Sequence, residues 1–198
     1  MCRAAAATGF RSPTGVRSRI MAAMKVLADS SRTGQMIDQL AGRVGRAMAD
    51  VGDWALVGIR RRGDLLARRL AETLEPTHVG SVDITLYRDD LSEVGPQPVV
   101  RTTEIDFDLD GRTIVLVDDV LMTGRSVRAA IQSLIDFGRP RCIRLAVLVD
   151  RGGRELPICP DFVGESIEAG AGQHVRVELQ PLDAADRIVI MQRPDASR

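Results

Sequence analysis

Three features of the sequence predict an α/β fold whose mostly parallel sheet is covered on both faces. Short apolar runs recur at 54–59, 113–117 and 143–149, segments with apolar residues at helical spacing stand between them, and clusters of Gly, Pro and charge separate the two. Strands that are apolar throughout, rather than alternating, are those buried from both sides, as parallel strands under helices are. With 198 residues, 44% hydrophobic and 27% charged, the chain can form one domain with a sizeable core, and disorder throughout is excluded.

Residues 1–30 mix Ala, Arg, Gly, Ser and Pro without sustained periodicity, so a loosely ordered basic tail is expected there, with the domain proper over 31–198. Met21 and Met24 are alternatives to Met1 as the start. Over 33–49 the apolar residues Met36, Ile37, Leu40, Ala41, Val44 and Met48 share one helical face, and Arg43 and Arg46 lie off it. The run 54–59 reads as a buried strand ending in a Gly/Arg-rich turn. Helical spacing over 65–74 closes at Pro76, and 79–87 alternates as a strand does. A loop or flap is expected over 88–103, where Gly, two Pro and several charges fall together. The strand 113–117, a helix over 126–137 ended by Gly138 and Pro140, the strand 143–149 and a last short strand at 188–191 complete the order.

Charge and composition remove several classes of function. Lys+Arg and Asp+Glu are 27 each, so the net charge is zero; residues 1–50 carry 8 basic and 3 acidic groups and the remainder carries the compensating acid excess. A general polyanion binder is therefore not indicated. Aromatic residues at 3% are too few for a base-stacking platform. Cys2, Cys142 and Cys159 are odd in number and far apart, which argues against a disulfide framework or a zinc site and for a reducing, cytoplasmic location. No apolar run approaches the roughly 20 residues a membrane span requires.

The chemistry is concentrated in residues 113–128, Thr-Ile-Val-Leu-Val-Asp-Asp-Val-Leu-Met-Thr-Gly-Arg-Ser-Val-Arg. A buried strand delivers Asp118 and Asp119 to its carboxyl end, and Thr123, Gly124, Arg125 and Ser126 then open a helix. Such a turn offers backbone N–H groups, hydroxyls and a helix N-terminus to a phosphate, and Gly124 permits close approach. The paired acids suit ribose hydroxyls or a hydrated Mg²⁺. No GxxxxGK[ST] or GxGxxG occurs, so neither a Walker loop nor a dinucleotide fingerprint is present. At the end of an earlier strand, Gly-Ile-Arg-Arg-Arg-Gly over 58–63 can cradle a second strongly anionic group.

Four apolar residues, Asp-Asp, then Thr-Gly at this spacing resemble the phosphoribosyl pyrophosphate (PRPP) signature of type I phosphoribosyltransferases. Three further segments narrow the resemblance: Asp-Ile-Thr-Leu-Tyr-Arg-Asp-Asp-Leu over 83–91, Val-Arg-Thr-Thr-Glu-Ile over 100–105, and Leu-Val-Asp-Arg-Gly-Gly-Arg-Glu-Leu-Pro-Ile over 148–158 followed by Asp-Phe-Val-Gly over 161–164. These resemble the PyrR family of pyrimidine-operon attenuators that also act as uracil phosphoribosyltransferases, and the match runs from about residue 33 to about 191. The resemblance implies a five-stranded parallel sheet, a small hood over the base, Mg²⁺ dependence, and a homodimer or higher homo-oligomer. It implies that uracil and PRPP give UMP and pyrophosphate. Asp118 and Asp119 would hold the ribose hydroxyls and, through water, the metal, and residues 123–126 the 5′-phosphate. Arg60, Arg61, Arg62 and Gly63 would hold the pyrophosphate, in a loop that in this group often carries a strained or cis peptide. Arg88 would reach a phosphate from the flap, and Asp150, Arg151, Gly152 and Ile158 would frame the base.

Arg151 and Arg154 have an equal claim to structural ion pairs with Glu155 or Asp161, and His78 and His174 read as surface residues. The Arg-Glu-Leu-Pro-Ile run matches the PyrR pattern rather than that of a purine-base enzyme. A UMP-sensing attenuator that binds an mRNA leader is the alternative function, and the sequence departs from it. RNA-binding members typically show a Thr-Arg pair followed shortly by a His in the early helix, where this chain has Asp38, Gln39 and Gly42, and Gly153 stands where a His is common. Lost cations and an acid opposite a phosphate weaken the salt-dependent part of RNA affinity.

Overall fold

The computed structural model describes residues 24–85, 103–170 and 172–192. In chain order the elements are β1 (Met24–Ala28), α1 (Ser30–Met48), β2 (Trp54–Ile59), α2 (Arg62–Leu74), β3 (His78–Val82), β4 (Thr113–Leu121), α3 (Arg125–Phe137), β5 (Cys142–Asp150), β6 (Phe162–Ser166), β7 (Gln173–Glu178) and β8 (Arg187–Gln192). Strands β3-β2-β4-β5-β6 form a five-stranded sheet in that order, every pairing parallel.

Side-chain alternation divides the core in two. Leu56, Val115, Val117, Ala146 and Leu148 point to one face and meet Leu40 and Val44 of α1 and Leu66 and Leu70 of α2. Ala55, Val57, Ile114, Leu116 and Val147 point to the other and meet Val127, Ala130 and Leu134 of α3. Each large aliphatic side chain so buried contributes about 1.5–3 kcal/mol, which is why both faces of β2 and β4 are apolar. The start of α1 and the end of α2 are set by local chemistry. Asp29 caps α1 by accepting from the Arg32 N–H at 2.9 Å, and Glu75, at φ 46°, closes α2 by donating its N–H to the Ala71 carbonyl.

The hood is a separate antiparallel sheet ordered β1-β8-β7. Val175, Val177, Ile188 and Ile190 of this sheet join the core beneath α1, and two bidentate ion pairs fasten it to α2. Arg69 binds Asp186 at 2.6 and 2.9 Å, and Arg62 binds Asp183 at 2.9 and 3.0 Å.

Several expectations are corrected. The tail expected over 1–30 is ordered from Met24 onward, because β1 pairs with β8 and Asp29 starts the helix three residues earlier than apolar spacing indicates. Residues 1–23 lie outside the described residues, as do 86–102, which hold Arg88 and most of the expected flap. The strand expected over 79–87 ends at Val82, where Ser81 turns to pair with Glu104 in an antiparallel bridge. β4 continues to Leu121, so Asp118 and Asp119 lie within the strand rather than beyond it. The strand at 188–191 belongs to the hood, and β6 and β7 were not foreseen. Among the described residues no helix is long and apolar enough to cross a membrane.

Candidate active site

At the carboxyl ends of the parallel strands, a cleft of about 650 Å³ opens between the sheet and the hood. Its floor is the end of β4 and the turn into α3, and Asp118, Asp119, Thr123, Gly124 and Ser126 all line it. Gly124 is the N-cap of α3 at φ 89°, a conformation that other residues adopt at a cost. A side chain there would also meet Ile158 and Leu156 at 3.3–3.4 Å, so the absence of a Cβ serves packing as well as approach of a ligand. The Thr123 hydroxyl accepts from the Arg125 N–H at 3.3 Å, and Gly124 provides no side-chain cap. This leaves the start of α3 suited to an anion.

The two acids differ. Asp118 is 7% exposed, and burial together with the charge of Asp119 holds its carboxyl well above the usual carboxylate range. Burial also raises Asp119, but a hydrogen bond from Asp118 and the Arg62 charge oppose the rise. Two repelling carboxylates on the floor of a cleft are a donor set that a divalent cation relieves. Among the described residues no third His, Cys, Asp or Glu groups with them, which fits Mg²⁺ retaining waters and substrate oxygens rather than an all-protein cage.

The arginine loop splits by partner. Arg61 and Arg62 line the cleft. Arg62 is held by Asp183, and this carboxylate lowers its tendency to lose a proton further still. Arg60 turns away, donating to Ser81 Oγ at 2.9 Å and pairing with Glu104 at 2.6 Å, so the structure does not place it on the cleft. The Arg60-Arg61 peptide is cis. A Cβ on Gly63 would lie 2.5 Å from the Val117 carbonyl oxygen, so glycine is what lets α2 start directly against β4 beside the acids. Arg125, expected at the phosphate, pairs instead with Glu155 at 2.7 Å and does not line the cleft.

The strap after β5 carries the remaining expected residues. Arg151 lines the cleft and donates to the Gln173 carbonyl at 2.6 Å. Gly152 takes φ 70° and its N–H donates to Asp150. Ile158 packs on Gly124, and Asp150 pairs with Arg154 at 2.7 Å. The structural partners expected for Arg151 and Arg154, Glu155 and Asp161, are therefore not the ones found. Sequence reasoning missed His174 and Arg176, which reach the cleft from the hood strand β7. The alternation His-Val-Arg-Val, with Val175 and Val177 buried, is the signal that could have found them. His78 is stacked on Phe107 with centroids 4.7 Å apart.

The parallel sheet brings an acid pair, the turn that opens α3 and an arginine loop together around one cleft. Residues 25–181 match the family model described as the phosphoribosyl transferase domain. The chain is 48% identical over 178 residues to the bifunctional protein PyrR of Roseiflexus sp. (strain RS-1), covering 87% of this chain and 97% of that one. It is 54% identical over 147 residues to the bifunctional protein PyrR of Thermus thermophilus, covering 72% and 81%. The chain belongs to the PyrR family. Among solved structures, a hypoxanthine phosphoribosyltransferase of Staphylococcus aureus superposes with a TM-score of 0.63 at 15% identity, over 86% of this chain and 93% of that one. One from Trypanosoma cruzi gives 0.63 at 17%, over 86% and 95%, and these likenesses show the fold.

Proposed function

We propose that the protein transfers the 5-phosphoribosyl group of PRPP to uracil, giving UMP and pyrophosphate. The observation that carries this is the convergence of the α3 turn and the Arg61-Arg62 loop, two elements whose chemistry suits anions, on one cleft floored by Asp118 and Asp119.

Thr123, Gly124 and Ser126 bind the 5′-phosphate with the start of α3. Arg61 and Arg62 bind the pyrophosphate, and Asp118 and Asp119 take the ribose hydroxyls and hold Mg²⁺ through water. Mg²⁺ held there would, when bound, supply charge neutralisation to the pyrophosphate. Arg151, Gly152 and Ile158 present the base, so that a uracil nitrogen bonds to the ribose C1 as the bond to pyrophosphate breaks and the nitrogen's proton leaves. Positioning and electrostatics do most of the work, since the leaving group is already charged. Arg88, which lies outside the described residues, is the further cation assigned to a phosphate. The free, exposed Cys142 and Cys159 support a reducing, cytoplasmic setting.

Enzymatic turnover is put before RNA regulation because Asp38 and Gln39 are exposed on α1 and Gly153 is exposed on the strap, so none of the three supplies a cation to an RNA phosphate. The test is product formation from PRPP and Mg²⁺ with uracil, hypoxanthine or guanine, beside filter binding of leader RNA with and without UMP. UMP from uracil with no purine product is expected. Equal rates with a purine overturn the substrate, and UMP-strengthened RNA binding with feeble turnover overturns the order of the two roles.

A further inference from the structure

We propose that Arg154 is a positioning residue for the 5′-phosphate site, acting by turning the peptide planes of the β4–α3 turn rather than by touching substrate. The proposal rests on the reading of 123–126 as that site. Three consecutive carbonyls of the turn are taken by the strap. Leu121 O accepts from the Arg151 N–H at 3.0 Å, Met122 O from Arg154 Nη1 at 3.0 Å, and Thr123 O from the N–H groups of Glu155 and Leu156 at 3.0 and 3.1 Å. The only cis peptides among the described residues are Arg60-Arg61 and Gln180-Pro181, so the peptides of this turn are trans. In a trans peptide the N–H points opposite to the C=O. Holding the carbonyls of 121–123 toward the strap therefore directs the N–H groups of Met122, Thr123 and Gly124 away from it, and those residues line the cleft.

Within this array the middle carbonyl is the exception, since a side chain holds it instead of a backbone N–H. Arg154 commits the rest of its guanidinium to the strap itself, with Nε donating to Ile158 O at 2.9 Å and Nη2 to Asp150 Oδ2 at 2.7 Å. One planar cation thus locks the strap's two ends together and fixes them to the turn. The fork geometry of arginine is needed, because a single ammonium can satisfy one or two of these acceptors but not all of them.

The test uses ribose 5-phosphate, which carries the phosphate and sugar but no base. Its Kd is measured calorimetrically on the whole protein and on Arg154→Met and Arg154→Lys, with KM for PRPP, KM for uracil and kcat alongside. The expected result is a loss of ribose 5-phosphate affinity of about tenfold in Arg154→Met, matched in KM for PRPP, and partial recovery in Arg154→Lys. Should the Met variant fail to fold, the Lys variant is read alone, with an expected loss of a few fold. Unchanged ribose 5-phosphate affinity with a raised KM for uracil overturns the proposal, since Arg154 would then serve the base strap only. A wild-type protein that does not bind ribose 5-phosphate overturns the phosphate-site reading itself.

Discussion

Replacing Asp183 by Asn tests the joint between hood and catalytic core. Asp183 accepts two hydrogen bonds from Arg62, one from Arg176 at 3.0 Å and one from the Leu179 N–H at 3.0 Å, with its side chain 9% exposed. Chiefly through Arg62, these hold its carboxyl at about 2, against an ordinary 3.8. At 1.36 kcal/mol per unit the ionised pair contributes about 2 kcal/mol to folding at neutral pH. Because the folded-state value is the lower one, that contribution is complete above about pH 4 and is lost as the pH falls through 2. Urea denaturation of wild type and Asp183→Asn should therefore differ by about 2 kcal/mol at pH 7, and the difference should shrink between pH 4 and 2. Adding Arg62→Met to the Asn variant should cost less than it costs alone, since the two share one interaction. A difference below about 0.5 kcal/mol at pH 7, the range of an exposed pair, would refute the reasoning.

Other substitutions separate chemistry from stability. Asp119→Asn changes charge at constant volume and should lower the turnover of UMP synthesis at least about tenfold, with circular dichroism unchanged. Asp118→Asn should also lose activity yet raise Tm at pH 7, since the native state destabilises this ionised carboxyl by burial and by Asp119; a lowered Tm would contradict the assigned cause. Gly124→Ala combines a φ of 89° with contacts of 3.3–3.4 Å to the strap, and should cost about 1–2 kcal/mol in denaturation and raise KM for PRPP. Gly63→Ala, with 2.5 Å to a backbone oxygen, should push α2 from β4 and impair kcat more than the affinity for uracil.

The parallel core was readable because its strands are apolar on both faces, a pattern that survives in 54–59 and 113–117 without any knowledge of their partners. β6 was not, because Phe-Val-Gly-Glu-Ser is short and half polar, and its place depends on Gly164, where a Cβ would lie 2.5 Å from the Leu148 carbonyl oxygen, a long-range constraint no local pattern carries. β1 escaped for a similar reason, since its strand character comes from pairing with β8 at the far end of the chain. At the site, motif spacing brought Asp118, Asp119, Thr123, Gly124 and Ser126 to one cleft. Spacing says nothing of where a long side chain finds its counter-ion. Arg60, Arg62 and Arg125 read alike as phosphate ligands, and the structure divides them among Glu104, Asp183 and Glu155.

Release of pyrophosphate from PRPP, followed with and without uracil in the presence of Mg²⁺, tests the central claim most directly. The account predicts release that requires uracil, yields UMP in equal amount and falls at least about tenfold in Asp119→Asn. Release that is indifferent to uracil, or a rate unchanged by that substitution, would contradict it.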